Sequence, residues 1–257
     1  MPTNPTLLEM LQSGVHFGHQ AKRWHPKMAP YIFGVRSNVH VVDLEKTQQK
    51  LAEAAAYVKN IAAKGGTVLF LGTKRQAQAP IKEAAIKCEM PYITERWLGG
   101  MLTNFAEIHR LVTKFTSMKK ARDTGELVKY TKKERSMFDK EIAKLDSFLA
   151  GVEHMNKLPD AIFIIDIRHE KTARQEAHVM QVPIVALCDT NVNPTVVEKV
   201  IPGNDDAVRS IALVANVLAE AINEGREEAK KAGATLAAAK VAAGTGPRAS
   251  EKVSTAV

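Results

Sequence analysis

Carboxylates recur where apolar runs stop. Val39-His40-Val41-Val42 ends at Asp43, Ala161-Ile162-Phe163-Ile164-Ile165 ends at Asp166, and Ile184-Val185-Ala186-Leu187 leads into Asp189. Asp205-Asp206 follow a Gly203-Asn204 turn. Acids gathered at strand ends can hold Mg²⁺ for phosphoryl chemistry. N-capping is the plainer account of Asp43 and Asp206. The histidines His16, His19, His25 and His40 invite a metal reading as well. His16 and His19 lie three apart, but no Cys or Glu nearby completes a standard zinc pattern. Leu71-Gly72-Thr73-Lys74-Arg75 has the form of a strand-to-helix turn with two cations, Lys74 and Arg75, able to hold a phosphate at a helix N-terminus, equally that of an RNA or of a small ligand. A metal-dependent phosphoryl or nucleotide enzyme would need more than this. The sequence has neither Gly-x-Gly-x-x-Gly after a strand nor a Gly-x-x-x-x-Gly-Lys-Ser/Thr loop. It also has no Gly-x-Ser-x-Gly and no activated cysteine context.

A different chemistry is carried by residues 14–36. Lys22, Arg23, Lys27 and Arg36 fall in a stretch with no acid, interleaved with Trp24, Tyr31 and Phe33 and stiffened by Pro26 and Pro30. A rigid basic loop with aromatic faces suits folded RNA, where phosphate contacts position and stacking adds affinity. Residues 96–105 combine Arg96, Trp97, the pair Gly99-Gly100, and Asn104 ahead of a helix. The glycines let the chain turn and leave backbone open to RNA. Arg96 and Asn104 are expected to contact phosphate or sugar, and Trp97 to pack rather than stack on a base.

These residues need a scaffold. Residues 39–42, 67–71, 161–165, 184–187 and 200–201 read as buried parallel strands, because they are apolar on both faces. Helical patterns follow at about 44–64, 74–88, 170–180 and 206–224, with Asp43 and Thr73 as N-caps and Lys64-Gly65-Gly66 as a stop. Strand-helix alternation predicts an α/β fold: a doubly wound, mainly parallel sheet flanked by helices. One region breaks the alternation. Ile108, Leu111, Phe115 and Met118 stripe one helix, and Phe138, Ile142, Leu145, Leu149 and Val152 stripe another, with a turn at Asp123-Thr124-Gly125 and a capping box at Thr131 and Glu134. The expectation is an inserted antiparallel, coiled-coil hairpin over residues 105–152. The outer faces of those helices carry Arg110 and Lys114, expected to face RNA, among many cations with acids interspersed. The α/β domain is then residues 1–104 plus 153–225, and residues 226–257 form an Ala/Lys-rich tail expected to be mobile.

Composition narrows the partners. The 257 residues carry a formal charge of +8, which favours an anionic partner. Cys88 and Cys188 make no metal spacing and no disulfide framework, so a reducing cytoplasm is expected. No apolar run reaches the roughly 18 residues of a membrane helix. Met1-Pro2-Thr3-Asn4-Pro5 lacks the order of a secretory leader, so no membrane association is expected.

Several unusual motifs occur together and in order: residues 15–34, the Gly72-Thr73-Lys74 turn, residues 96–105, Leu158-Pro159-Asp160, Asp189-Thr190-Asn191 and Ile201-Pro202-Gly203-Asn204-Asp205-Asp206. Over about residues 7–224 the chain resembles the bacterial ribosomal protein S-two family. The resemblance implies a non-catalytic component of the small ribosomal subunit in the cytoplasm. It would bind small-subunit rRNA near the head–body junction, alongside other small-subunit proteins, and take no small-molecule substrate. It implies an anchor for ribosomal protein S-one, with Phe17 and Phe33 as the receiving aromatic face. No cofactor is required, but a divalent metal, zinc or magnesium, is implied at His19, Asp189, Asp205 and Asp206. Ala21 and His25 depart from residues frequent in the family, Thr and Asn.

Overall fold

Two stacks of apolar side chains, one on each face of a central sheet, organise the chain. In the computed structural model, which describes residues 4–244, the sheet consists of β4 (Val68–Leu71), β5 (Tyr92–Ile93), β6 (Ala161–Ile165), β7 (Ile184–Cys188) and β8 (Lys199–Pro202). Their order is β5-β4-β6-β7-β8, and every pair is parallel. Side chains alternate across a strand, so β4, β6 and β7 feed two cores. Val68, Phe70, Phe163, Ile165, Val185 and Leu187 pack with α2 (Leu44–Ala63), α3 (Arg75–Lys87) and α7 (Val208–Gly244). Phe70 and Phe163 meet edge to face at 5.5 Å. Leu69, Leu71, Ile162, Ile164 and Ala186 pack with α4 (Phe105–Asp123), α5 (Lys132–Leu149) and α6 (Lys171–Val179). Helices on both faces make the sheet doubly wound.

The helix signals hold in most places. Asp43 caps α2 by accepting from the Glu45 and Lys46 amides. Gly65 follows at φ 73°, the left-handed geometry that favours glycine at a helix end. Thr131 and Glu134 form the reciprocal capping box of α5. α4 and α5 lie between β5 and β6 in the chain, and the ion pairs Lys114–Glu141 and Lys119–Asp146 link them. Of their stripes, Ile108, Phe115, Ile142, Leu149 and Val152 are buried and Leu111, Met118, Phe138 and Leu145 half-buried; Val112, outside the expected stripe, is buried as well.

Four expectations are corrected. The strand at 39–42, β3 (Val39–Val42), is not in the parallel sheet. It is the middle of a separate antiparallel sheet, ordered β1-β3-β2, with β1 (Phe17–Gln20) and β2 (Ile32–Arg36). Its burial alternates along the strand, so only one face meets a core. The expected loop over 14–36 is therefore two strands joined by short 3-10 turns at Ala21–Arg23 and Pro26–Tyr31. Thr73 does not cap α3; its hydroxyl donates instead to Glu170 at 2.5 Å. Finally, α7 does not stop near 224. Lys59 of α2 pairs with Glu224 and Glu228 on successive turns, and the helix continues to Gly244, into the expected tail. Residues 245–257 of that tail lie outside the described residues. No helix among the described residues is long and apolar enough to cross a membrane. The remaining helix, α1 (Leu7–Gln12), is held by a capping box between Thr6 and Glu9 and packs on α2.

The small sheet sits over the C-terminal ends of β7 and β8. Asn204 donates from its amide to Val15 O and from Nδ2 to Gly14 O, and His25 donates to Thr190 O. The approach is closest at Gly18, where an added Cβ would lie 2.7 Å from Thr190 Cγ2 and 3.1 Å from His40 O. Thr190 is fully buried and β-branched, so it cannot yield easily. Gly18→Ala is expected to lower stability by about 2 kcal/mol, through overpacking, in chemical denaturation. An unchanged midpoint would mean that the sheet-to-sheet seam is slack.

Candidate functional site

In an open parallel sheet, ligands gather outside the strand C-termini where the strand order reverses. Here the reversal lies between β4 and β6, and charged side chains fill it. Asp166 follows β6, Asp189 follows β7, and Asp205-Asp206 lie beyond β8. Asp43 stays apart, as the cap of α2. Lys74, at the end of the β4 turn, donates to Asp166 Oδ2 at 3.2 Å, Asp205 Oδ1 at 3.1 Å and Asp206 Oδ1 at 2.5 Å. β1 brings in His19, whose Nδ1 is 2.8 Å from Asp189 Oδ2 and whose Nε2 is 3.5 Å from Asp206 Oδ2.

The electrostatics follow from this crowding. Burial, with Asp166 and Asp189 nearby, pushes the Asp205 carboxyl up to about 7, against the pull of Lys74. The bond to Asp189, opposed by burial and aided by the Asp205 and Asp206 charges, raises His19 above the ordinary imidazole value. Burial works against the Lys74 ammonium, but the charges of Asp205, Asp206 and Asp166 outweigh it and hold Lys74 above the ordinary lysine range. Without a bound cation, this much negative charge repels a free phosphate, so Lys74 does not act here as a simple phosphate binder. The crevice can take a cation. His19, Asp205 and Asp206 can each turn a donor atom to within 4.8 Å of the others'. Asp205 Oδ2 is buried with no hydrogen-bond partner. One imidazole with carboxylates suits a divalent ion such as zinc or magnesium. Asp189 stands behind this trio and orients the imidazole, as outer carboxylates do at metal-bound histidines.

The other histidines and the cysteines offer less. His25 Nδ1 accepts from the Lys27 amide. His40 keeps both ring nitrogens buried and unpartnered beside Trp24, and burial pushes His16 down. Burial pushes the Cys88 thiol up to about 12 and Cys188 well above the usual thiol range, so neither supplies a thiolate.

The predicted RNA-facing residues divide into groups. Lys22, Arg23 and Arg36 are exposed and make no ion pair among the described residues. Lys27 is exposed and donates to Thr195, Trp24 is 40% exposed, and Tyr31 is half-buried. Arg75 and Arg96 are exposed, as is Asn104, which starts α4 without a side-chain cap bond. Arg110 is paired with Glu107, and Lys114 with Glu141, so their charges are partly offset. Lys74 is directed into the acidic crevice. Phe17 and Phe33 are 53% and 81% exposed, and Val35, two residues along β2 from Phe33, is also exposed.

Residues 96–105 hold a partner that sequence reasoning missed. Glu176 on α6 is buried, and its carboxylate accepts from Trp97 Nε1, the amides of Gly100, Leu102 and Thr103, and the Thr103 hydroxyl. Trp97 is buried, as expected of a packing residue. Gly100 adopts φ 87° and its amide is already taken, whereas Gly99 is exposed with open space at its Cβ position. A signal existed: Glu176 falls three residues after Ala173 and one before Ala177, on the apolar face of α6.

Comparison with known proteins gives two findings. The profile of the family described as Ribosomal protein S2 matches residues 10–225. The small ribosomal subunit protein uS2 of Bdellovibrio bacteriovorus is 48% identical over 223 residues, covering 87% of this chain and 71% of that protein.

Proposed function

This chain belongs to the ribosomal protein S2 family, and from that membership we propose how it is held on the small ribosomal subunit, of which it is a structural constituent. It binds small-subunit rRNA near the head–body junction. Lys22, Arg23, Lys27 and Arg36 neutralise phosphates, Trp24 and Tyr31 offer flat faces, and Arg75, Arg96, Asn104, Arg110 and Lys114 extend the contact. Lys74 serves the crevice first. The carrying observation is that Lys22, Arg23 and Arg36 stand exposed, without ion pairs among the described residues, on a stretch free of acids. Unpaired cations can release counterions from RNA, whereas internally paired ones have little left to give. α4 and α5 form the coiled-coil arm that carries Arg110 and Lys114.

The protein also anchors ribosomal protein S-one and thereby supports initiation. An aromatic as exposed as Phe33, with Phe17 and Val35 uncovered as well, supports a protein-docking face. His19, Asp205 and Asp206 hold a divalent cation with Asp189 behind them. That cation would tie the small sheet to the strand ends.

Two measurements test this. Affinity of the purified protein for small-subunit rRNA should fall with salt at a log–log slope of about −3 or steeper, as for roughly four neutralised phosphates. A slope near zero would dismiss phosphate binding. In sucrose gradients of native extract, Phe33→Asp should stay with small subunits while S-one shifts to the top. S-one remaining bound would reject this docking face.

A further inference from the structure

The crevice already contains a cation of its own. Lys74 Nζ lies on one oxygen each of Asp205, Asp206 and Asp166, at 3.1, 2.5 and 3.2 Å. Two of those residues, with His19, make up the trio whose donor atoms converge within 4.8 Å. The ammonium lies on the Oδ1 atoms of Asp205 and Asp206, so a divalent ion held by the same two carboxylates would sit close beside it, and like charges that near in a part-buried site repel. The ammonium also serves the crevice incompletely. Asp205 Oδ2 remains buried and unpartnered, and Asp206 Oδ2 leans only loosely toward His19 at 3.5 Å. Counting Asp189, four carboxylates face one ammonium and one imidazole, so negative charge is left over. A divalent ion would satisfy more of it. Lys74 has the means to leave. Its backbone is fixed at the start of α3, but its ammonium rides on a flexible four-carbon stem that is already 18% exposed, next to exposed Arg75.

We infer that Lys74 is a resident counter-ion that a divalent cation displaces. The ammonium holds the carboxylates together when no ion is bound. When one binds His19, Asp205 and Asp206, the Lys74 side chain swings out to solvent. The inference rests on reading that trio as a cation site, and it adds a competitor to it.

The test uses Zn²⁺ alone, titrated by calorimetry into the wild-type chain, Lys74→Met, and Lys74→Met combined with His19→Ala. Removing the competitor should tighten Zn²⁺ binding at least about tenfold, and the added His19→Ala should abolish the gain. Without metal, Lys74→Met should melt several degrees below wild type, because buried carboxylates lose their partner, and Zn²⁺ should restore the difference. If Lys74→Met does not fold, the wild-type chain still decides. Acetylation of Lys74, followed by mass spectrometry, should be slow without metal and should quicken when Zn²⁺ is added. Equal Zn²⁺ affinity in wild type and Lys74→Met, or unchanged acetylation, would overturn the displacement while leaving the cation site intact. No binding by either protein would overturn both.

Discussion

Glu176→Ala is expected to lower folding stability by about 4 kcal/mol. The carboxylate serves five donors, of which Trp97 Nε1 and the Leu102 amide are buried. Each buried donor left without an acceptor costs about 1–3 kcal/mol. The Thr103 and Gly100 amides lie nearer the surface, where water can replace the lost acceptor. Two orphaned donors plus the lost packing of a buried side chain give the figure. Glu176→Gln keeps the shape but turns an amide NH₂ toward donors, so it should cost about half as much. Urea denaturation with an unchanged slope and a lower midpoint would register both losses. A loss below about 1 kcal/mol for alanine would show that the 96–105 segment is held by its apolar packing alone. There is a pH signature as well. Burial pushes the Glu176 carboxyl upward, but the bonds from Trp97, Leu102, Gly100 and Thr103 together hold it below the ordinary glutamate value. A lowered carboxyl contributes fully above its unfolded value. The contribution is then lost as pH falls through the folded value. Wild type should therefore lose stability on acidification in that range, and Glu176→Gln should lose less.

The second large effect falls on RNA. Lys22→Glu with Arg23→Glu should weaken rRNA binding about 100-fold at 0.1 M salt, or ~2.7 kcal/mol. Each reversal turns an attraction of about 1 kcal/mol in water into a similar repulsion. Two reversals make ~4 kcal/mol, and screening at that ionic strength removes part of it. Because neither cation is paired internally, the fold should be indifferent, with stability within about 0.5 kcal/mol of wild type. The variant should also be depleted from small subunits in a gradient. Normal incorporation would take these two residues out of the rRNA contact.

What the sequence disclosed depended on how local the cause was. Residues 161–165 and 184–187 declare themselves as buried strands, since both faces are apolar and the run is short. Residues 17–20 and 32–36 do not. Their partner in both cases is β3, their registers are irregular, and a glycine interrupts each. The acids at the strand ends were visible, but not their company. Lys74 reaches Asp166 across 92 positions and Asp205 across 131, and no window of sequence contains such a pairing. A lysine beside an arginine on a strand-to-helix turn reads as a phosphate binder until the fold supplies carboxylates. Trp97 was legible as packing, because a large aromatic beside two glycines at a change of direction is most economically buried. The acceptor of its N–H was not, because it comes from a helix 79 positions later.

The seam between the small sheet and the strand ends has a consequence for synthesis. His19 binds Asp189 across 170 positions, and Gly14 binds Asn204 across 190. A nascent chain makes its basic, aromatic N-terminal segment first, yet the residues that clamp it are among the last of the domain to emerge. Through most of translation residues 14–36 must wait with their anchors unmade. Contacts this distant in sequence close slowly, since the loop entropy is spent before any bond rewards it. The part of the domain made first is therefore the last to lock, and its basic, aromatic segment is fixed only after Asp189 and Asn204 have emerged.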